Sequence, residues 1–437
     1  MINTRTTLPL LAAFLAVFAF DVYAQPGVQR VPIKTVSAPA GAEVELTLKK
    51  RFQHYNENTG NADDVYDRNI HSPKSVNILD AKNKFYVHSL EGRVTTVYSL
   101  DSFKLIKIIQ HAFDPTNQYL FKETRYFDYS FKEKNKTPNI FEGKPVESCF
   151  SHGGKYLWVT YYRRTYDKNA AEPSALCIID TDKDEIVRVM PTAPLPKMIA
   201  CSPDNKTIAV THWGDNTVGL IDISTDDPAT FKHVKNLVID YRLSMDFSED
   251  KPVDRDAECG HCLRGTVFTP DGKYVLIGKM GDSGVAIVDV ASGRYLGTLT
   301  GMKENLRHLV IQGDYLYLSI NRTGYVQKTE WKKLIRHFEE KGKDVPYTDW
   351  TNVYVGTGAR TIALRKDGKY LFAAVNNESK IVAVRTADMK IVATCKADSY
   401  PVGMDISDDG RWLMVTSQGK GNGGGNSVMI FAVNYRE

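Results

Sequence analysis

Thr269-Pro270-Asp271-Gly272-Lys273 is a turn, and the runs around it read as strands: Leu263 to Phe268 before it, Tyr274-Val275-Leu276-Ile277 after it. Gly284-Val285-Ala286-Ile287-Val288-Asp289 and Arg294-Tyr295-Leu296-Gly297-Thr298-Leu299 continue the pattern. β-Branched and aromatic residues fill the apolar runs, while Asp, Gly and Asn supply the turn geometry. The same turn recurs at Ser202-Pro203-Asp204-Asn205-Lys206, Lys366-Asp367-Gly368-Lys369 and Asp408-Asp409-Gly410-Arg411. Weaker copies lie at Ala81 to Lys84, His152 to Lys155 and Gln312 to Asp314. Seven copies at a period of ~40–50 residues predict an all-β fold, a seven-bladed β-propeller of four-stranded antiparallel blades. Alternation with period 2 excludes a helical solenoid.

The units start at Pro73, Pro145, Pro196, Leu263, Leu306, Ala359 and Pro401, so the ring spans 73–437. The last unit has room for only three strands. Within the extension at 25–72, Glu43-Val44-Glu45-Leu46-Thr47-Leu48-Lys49 alternates cleanly and is expected to supply the missing outer strand, locking both ends into one ring. Insertions interrupt the ring at 110–144, rich in aromatic residues and lysines, and at 330–342. In the second, Trp331, Leu334, Ile335 and Phe338 fall on one helical face, expected to pack on the rim.

The composition is that of a globular chain: 437 residues, 42% hydrophobic, 25% charged, with a net charge of +4. So small an excess makes no case for nucleic acid or an acidic membrane surface as partner. Residues 1–24 read as a signal peptide: Arg5 is the basic start, Leu8 to Phe20 the apolar run, and Val22-Tyr23-Ala24 the cleavage site after Ala24. No later run is long enough to span a membrane. The expectation is an exported, soluble monomer, periplasmic or secreted.

Cys149, Cys177, Cys201 and Cys395 lie in strand-like runs and read as small buried hydrophobes. Cys259-Gly260-His261-Cys262 is followed by Leu263 rather than His, which excludes c-type haem attachment. A local disulfide between Cys259 and Cys262 is favoured over a metal site built with His261 or His308, and no metal or cofactor is expected.

Cys201-Ser202-Pro203-Asp204, Ile208 to Thr211, Asn216 to Asp222 and Pro401 to Gly410 carry a resemblance to the YVTN-type seven-bladed propellers, the group of exported YncE-like proteins. The resemblance covers roughly 70–435. It implies the fold but no single activity, because such propellers host binding, lactonase, lyase and dehydrogenase functions.

In a propeller the first strand of each blade lines the central channel. Aligning the seven first strands places Lys74, Lys197, Arg264, Arg307 and Arg360 at the same second position, with Val146 and Val402 in the other two. Equivalent positions in a closed ring share one space, so five like charges there are costly unless anions offset them. The adjoining loops between second and third strands are expected to add His88, Tyr161, His212, Trp213, Lys279, Asn321 and Asn376, with His308 inside, making a basic, aromatic-rimmed funnel. The plainer alternative is that the bases pair with acids such as Glu147, Asp215 or Asp405 and hold the ring together. The Asp-Gly-Lys turns lie on the opposite face and are structural.

Three functions compete. One is non-enzymatic binding of an anionic small molecule or polymer in the funnel. A second is a lactonase- or lyase-type enzyme there, with His308, His212 or Glu147 as base. The third is a scaffold for a protein or glycan partner using the aromatic insertion. Nucleic acid receives the least support.

Overall fold

The computed structural model describes residues 28–132, 137–245, 253–419 and 424–436, so the proposed leader lies outside the described residues. Seven antiparallel sheets stand in a ring, and each innermost strand adjoins the innermost strands of two neighbours. Those strands are Pro73–Leu79, Phe141–Ser151, Pro196–Cys201, Leu263–Phe268, Leu306–Gln312, Ala359–Leu364 and Pro401–Ile406. They begin at or just before the seven predicted starts.

Hydrophobic packing explains why the blades assemble. Each of the seven large apolar clusters lies between two adjacent blades, as where Leu276 and Ile287 of blade four meet Leu309 and Leu318 of blade five. Inner strands are covered on both faces, so Tyr274–Lys279 is buried throughout. The outermost strands meet solvent, and Lys232–Val238 is largely exposed. Each fully buried Val, Leu or Ile contributes about 1.5–3 kcal/mol.

The turns between first and second strands repeat one device. The Thr269 hydroxyl donates to Asp271 at 2.6 Å, and Asp271 accepts from the Lys273 N–H at 3.1 Å. Ser202 with Asp204 and Ser407 with Asp409 repeat the first contact. Gly272 and Gly410 stand at φ 70° and 75°, where a side chain would strain the turn.

Val44–Gln53 pairs antiparallel with Ser427–Tyr435, completing blade seven from the N-terminal side; Asp64–Tyr66 then adds a parallel edge strand. A buried ion pair pins the closure. Arg51 Nη1 donates to Asp398 at 3.1 Å and to the Val31 carbonyl at 2.8 Å, and its other nitrogens engage Asp64. Asp398 also accepts from the Val31 N–H and the Ser427 hydroxyl.

The insertions are structural extensions of the ring. The helix Trp331–Lys341 buries Trp331, Leu334 and Ile335 against blades four and five. The longer one runs as a strap past blade two to blade three. Phe113 and Phe141 are buried in the interface of blades one and two, and Tyr126 and Tyr129 are buried against blade three, with the Tyr129 hydroxyl donating to Asp215. Tyr119 and Phe127 remain exposed. An aromatic platform for stacking sugars is therefore mostly used up in packing.

Removing the guanidinium of Arg51 would leave Asp398 buried without its cation. Arg51→Ala is expected to cost about 3–5 kcal/mol in urea unfolding. An unchanged unfolding midpoint would show that ring closure does not depend on this pair.

Candidate functional site: a basic ring at the channel mouth

Each innermost strand carries one extra residue near its start. In blade one, Pro73 pairs with Ser89 but Val76 pairs with Val87; in blade three, Pro196 pairs with His212 and Met198 with Thr211. The same register shift occurs in the other five blades. A bulge releases its residue from the ladder and re-aims it. Here it takes in the second position every time, alone in blades three, five and seven and together with the third position in the other four.

In five of the seven blades the carbonyl of the second residue is satisfied by a hydroxyl from the preceding blade. Ser75 donates to the Val146 carbonyl at 2.6 Å, Thr211 to Arg264 at 3.1 Å, Thr361 to Val402 at 2.6 Å and Thr416 to Lys74 at 2.9 Å. Ser319 does the same for Arg360. Five bulges are thus tied between blades, which fixes the backbone at three of the basic residues, Lys74, Arg264 and Arg360.

Lys74, Lys197, Arg264, Arg307 and Arg360 converge closely enough for each to feel others. Burial is the first cause lowering the proton affinity of Lys74, Arg307 and Arg360, followed by neighbouring cations: Arg360, Lys197 and Arg264 for Lys74, and Arg264 for both Arg307 and Arg360. Burial also brings Lys197 down to about 7, partly countered by Asp256.

Among the described residues two carboxylates answer five cations. Arg264 pairs with Glu147 at 3.1 Å, and Lys197 pairs with Asp256 at 3.1 Å while lying over the rings of Tyr162 and Trp213 at 4.3 and 5.0 Å. Lys74 donates to the Gln418 amide oxygen at 3.0 Å. Arg307 reaches the Met280 sulfur at 3.5 Å. Among the described residues neither Arg307 nor Arg360 meets a carboxylate, and the Nε of each is buried without a hydrogen-bond partner. The acids suggested by sequence divide. Glu147 joins the ring, Asp215 serves Tyr129 and Thr217, and Asp405 accepts from the Ile78 and Ile406 N–H groups.

The channel holds a cavity of about 300 Å³, lined by residues that include Ser75, Glu147, His308, Thr361 and Asp405. His308 Nδ1 accepts from the Ile362 N–H at 3.3 Å, so in the neutral ring Nε2 carries the hydrogen. Burial, then Arg264 and Arg307, lowers its pKa to about 3, so the ring is neutral at physiological pH. It offers a donor and no free basic nitrogen. Burial lifts Asp405 to about 7.

Several residues expected at the funnel lie elsewhere. His88 and Tyr161 are buried between blades one and two, in a chain running Ser148, His88, Thr95, His111, Tyr161 with contacts of 2.7–2.8 Å. His212 is buried between Thr192 at 2.7 Å and Thr217 at 2.9 Å, so neither ring nitrogen is available as a base. Desolvation lowers both histidines to about 3, and they stay neutral. Lys279 is buried and held by Asp240 and Asp282 at 2.8 and 3.2 Å. Asn321 and Asn376 brace the loop at 355–358: Asn321 takes the Gly358 N–H and donates to the Ala359 carbonyl, and the Asn376 N–H donates to Gly358. Trp213 does reach the site, against Lys197.

Asp256, Gln418 and Met280 are site neighbours that strand alignment did not find, because all three lie in connecting loops. The run of charges from Asp254 to Glu258 was the available signal for Asp256, but no period places a residue outside the strands. Cys259 and Cys262 form a disulfide in the hairpin entering blade four. It is packed so closely that a Cβ on Gly281 would stand 2.4 Å from the Gly260 carbonyl. His261 lies against Asp282 and Asp240 at 2.7 and 3.3 Å.

Comparison with known proteins agrees with this architecture. The family model described as lactonase, 7-bladed beta-propeller, matches residues 172–436. Hydrazine synthase subunit beta of Kuenenia stuttgartiensis is 26% identical over 256 residues, 49% of this chain and 60% of that relative, so the match spans less than two thirds of the relative's length. Among solved structures, Kuenenia stuttgartiensis hydrazine synthase superposes with a TM-score of 0.56 at 14% identity, covering 88% of this chain and 99% of that one. The Cps50 (Swd1) β-propeller domain of Myceliophteria thermophila gives 0.56 at 11% identity, covering 83% and 97%. These two likenesses are of fold alone. The family match extends over more than half of the chain, and the protein belongs to the lactonase-type seven-bladed β-propeller family.

Proposed function

We propose that this is an exported propeller that binds an anionic small molecule or polymer at the channel mouth, through Lys74, Lys197, Arg264, Arg307 and Arg360. One observation carries the reading: Arg307 and Arg360 are held in a cluster of five cations and two acids without a carboxylate for either among the described residues. Taken alone, such a cluster opposes folding. An oxyanion that enters it offsets the repulsion, and guanidinium groups grip carboxylates and phosphates through paired donors. Export is supported by the leader-like residues 1–24, by the Cys259–Cys262 disulfide and by the resemblance of the repeats to the exported YncE-like propellers. No helix among the described residues is long and apolar enough to cross a membrane.

A second reading is hydrolysis of a lactone or a lyase reaction in the same channel, favoured by the family match and by the cavity beneath the ring. His308 would then donate its Nε2 hydrogen to the oxygen that gains charge, and Glu147 would act as base. The histidine's geometry reverses the base role expected for it from sequence.

Calorimetric titration with citrate, inorganic phosphate and a sulfated oligosaccharide tests the binding reading. At least one is expected to bind, with affinity falling as ionic strength rises from about 0.01 to 0.15 M and the screening length shortens from ~30 to ~8 Å. Arg307→Ala is expected to weaken binding about tenfold or more, the worth of a charged hydrogen bond. Salt-independent binding, or none, would contradict the proposal.

The ring also predicts a trade of stability for function. Arg360→Met removes a buried like charge and is expected to stabilise the free protein by about 1–4 kcal/mol in urea unfolding while weakening anion binding. Destabilisation with binding intact would assign Arg360 a purely structural role.

A further inference from the structure

Lys74 and Lys197 occupy equivalent positions but different surroundings. Lys197 has Asp256 at 3.1 Å and the faces of Tyr162 and Trp213 to favour its charge against the burial that lowers it. Lys74 has neither a carboxylate within ion-pair distance among the described residues nor an aromatic face. Its one hydrogen bond among the described residues is to the neutral amide of Gln418, and the Gln418 nitrogen is itself committed to the Ser72 hydroxyl. The charges bearing on Lys74 are Arg360, Lys197 and Arg264 against it and Glu147 for it, so repulsion outweighs attraction. An ammonium placed among other cations and partly withdrawn from water gives up its proton more readily, and the amine it leaves is a nucleophile. Lys74 is partly exposed at the mouth, its backbone fixed by Thr416, directly above Ser75 on the cavity wall.

Resting on the anion-binding reading, we propose that Lys74 is a nucleophilic amine that forms an imine with the carbonyl group of a small 2-oxo acid or an acid aldehyde, whose carboxylate is held by Arg307 and Arg360. In this step the Lys74 nitrogen pair attacks the carbonyl carbon and the carbonyl π pair moves to oxygen. The carbinolamine then loses that oxygen with two hydrogens from nitrogen as water, leaving a C=N bond. No oxidant, metal or cofactor enters the balance. Ligand chemistry and site charge agree: the carboxylate that enters reduces the repulsion that kept the amine neutral, and so favours the cationic iminium once it has formed. The occupant is thereby narrowed from any oxyanion to one that carries a carbonyl beside its acid group.

Borohydride trapping reads this directly. The full-length protein is incubated at neutral pH with pyruvate or glyoxylate, reduced with cyanoborohydride, digested and mapped by mass spectrometry. The expected result is a reduced adduct at Lys74 in about tenfold excess over the surface lysines. Lys74→Met should abolish that adduct and, having lost a repelled charge, should fold. The peptide map of the unsubstituted protein decides the matter even where the variant does not fold. Uniform labelling of all lysines would overturn the proposal. Calorimetry with pyruvate and with lactate, which has the carboxylate but no carbonyl, separates the two levels. Binding of both with no Lys74 adduct, or binding of phosphate or citrate but not of pyruvate, overturns the imine and leaves the anion site standing, whereas binding of none of these anions overturns the anion reading on which the imine rests.

Discussion

Seven blades can close into a ring only if their innermost strands meet around one axis, and in this chain each of those strands is bulged near its start. The bulge is the feature on which the mouth depends. It frees the second residue from the ladder, and in five blades the carbonyl it exposes is taken up by a serine or threonine of the blade before. Blade packing, backbone satisfaction and the placement of the basic side chains are therefore one arrangement. A repeat that solves its local hydrogen-bonding problem seven times presents one chosen side-chain position to the axis seven times.

What that position carries works against the fold. Five basic residues with two acids are costly to hold half-dry, and the apolar clusters between blades supply the stability that tolerates it. The fold can sustain such a site because its core is divided among seven equivalent interfaces and is closed by the N-terminal strand and the Arg51–Asp398 pair. Each end of the chain contributes to blade seven, so opening the mouth would require breaking a sheet and a buried ion pair together.

Much of the architecture was legible in the residues, for stated reasons. Asp-Gly and Asp-Asn turns have strong local signatures, and the strands between them are short enough to count. The alternation of Glu43 to Lys49 identified the closing strand because blade seven lacked one. Aligning Lys74 with its four counterparts needed only the repeat. The rim was harder to read. His88 is the last residue but one, and His212 the last, of a second strand, where period 2 alone does not tell channel from blade interface. Their cross-strand neighbours Thr95 and Thr217 were the available signal, since a histidine opposite a threonine in a two-sided strand is placed to be hydrogen-bonded in the interior. Tyr161 was drawn inward by His111, a residue of the connection between blades one and two that no periodicity located. Asp256 and Gln418, which distinguish Lys197 from Lys74, came from loops and were beyond any strand pattern.

The central claim is that the channel mouth is an anion site built by position-equivalent bulges. Crystals soaked in selenate and measured at the selenium edge would locate an oxyanion without any assumption about the natural ligand. The account predicts an anomalous peak inside the mouth, within contact of the Arg307 and Arg360 guanidinium groups. Peaks confined to surface lysines, with the mouth empty at saturating selenate, would contradict it.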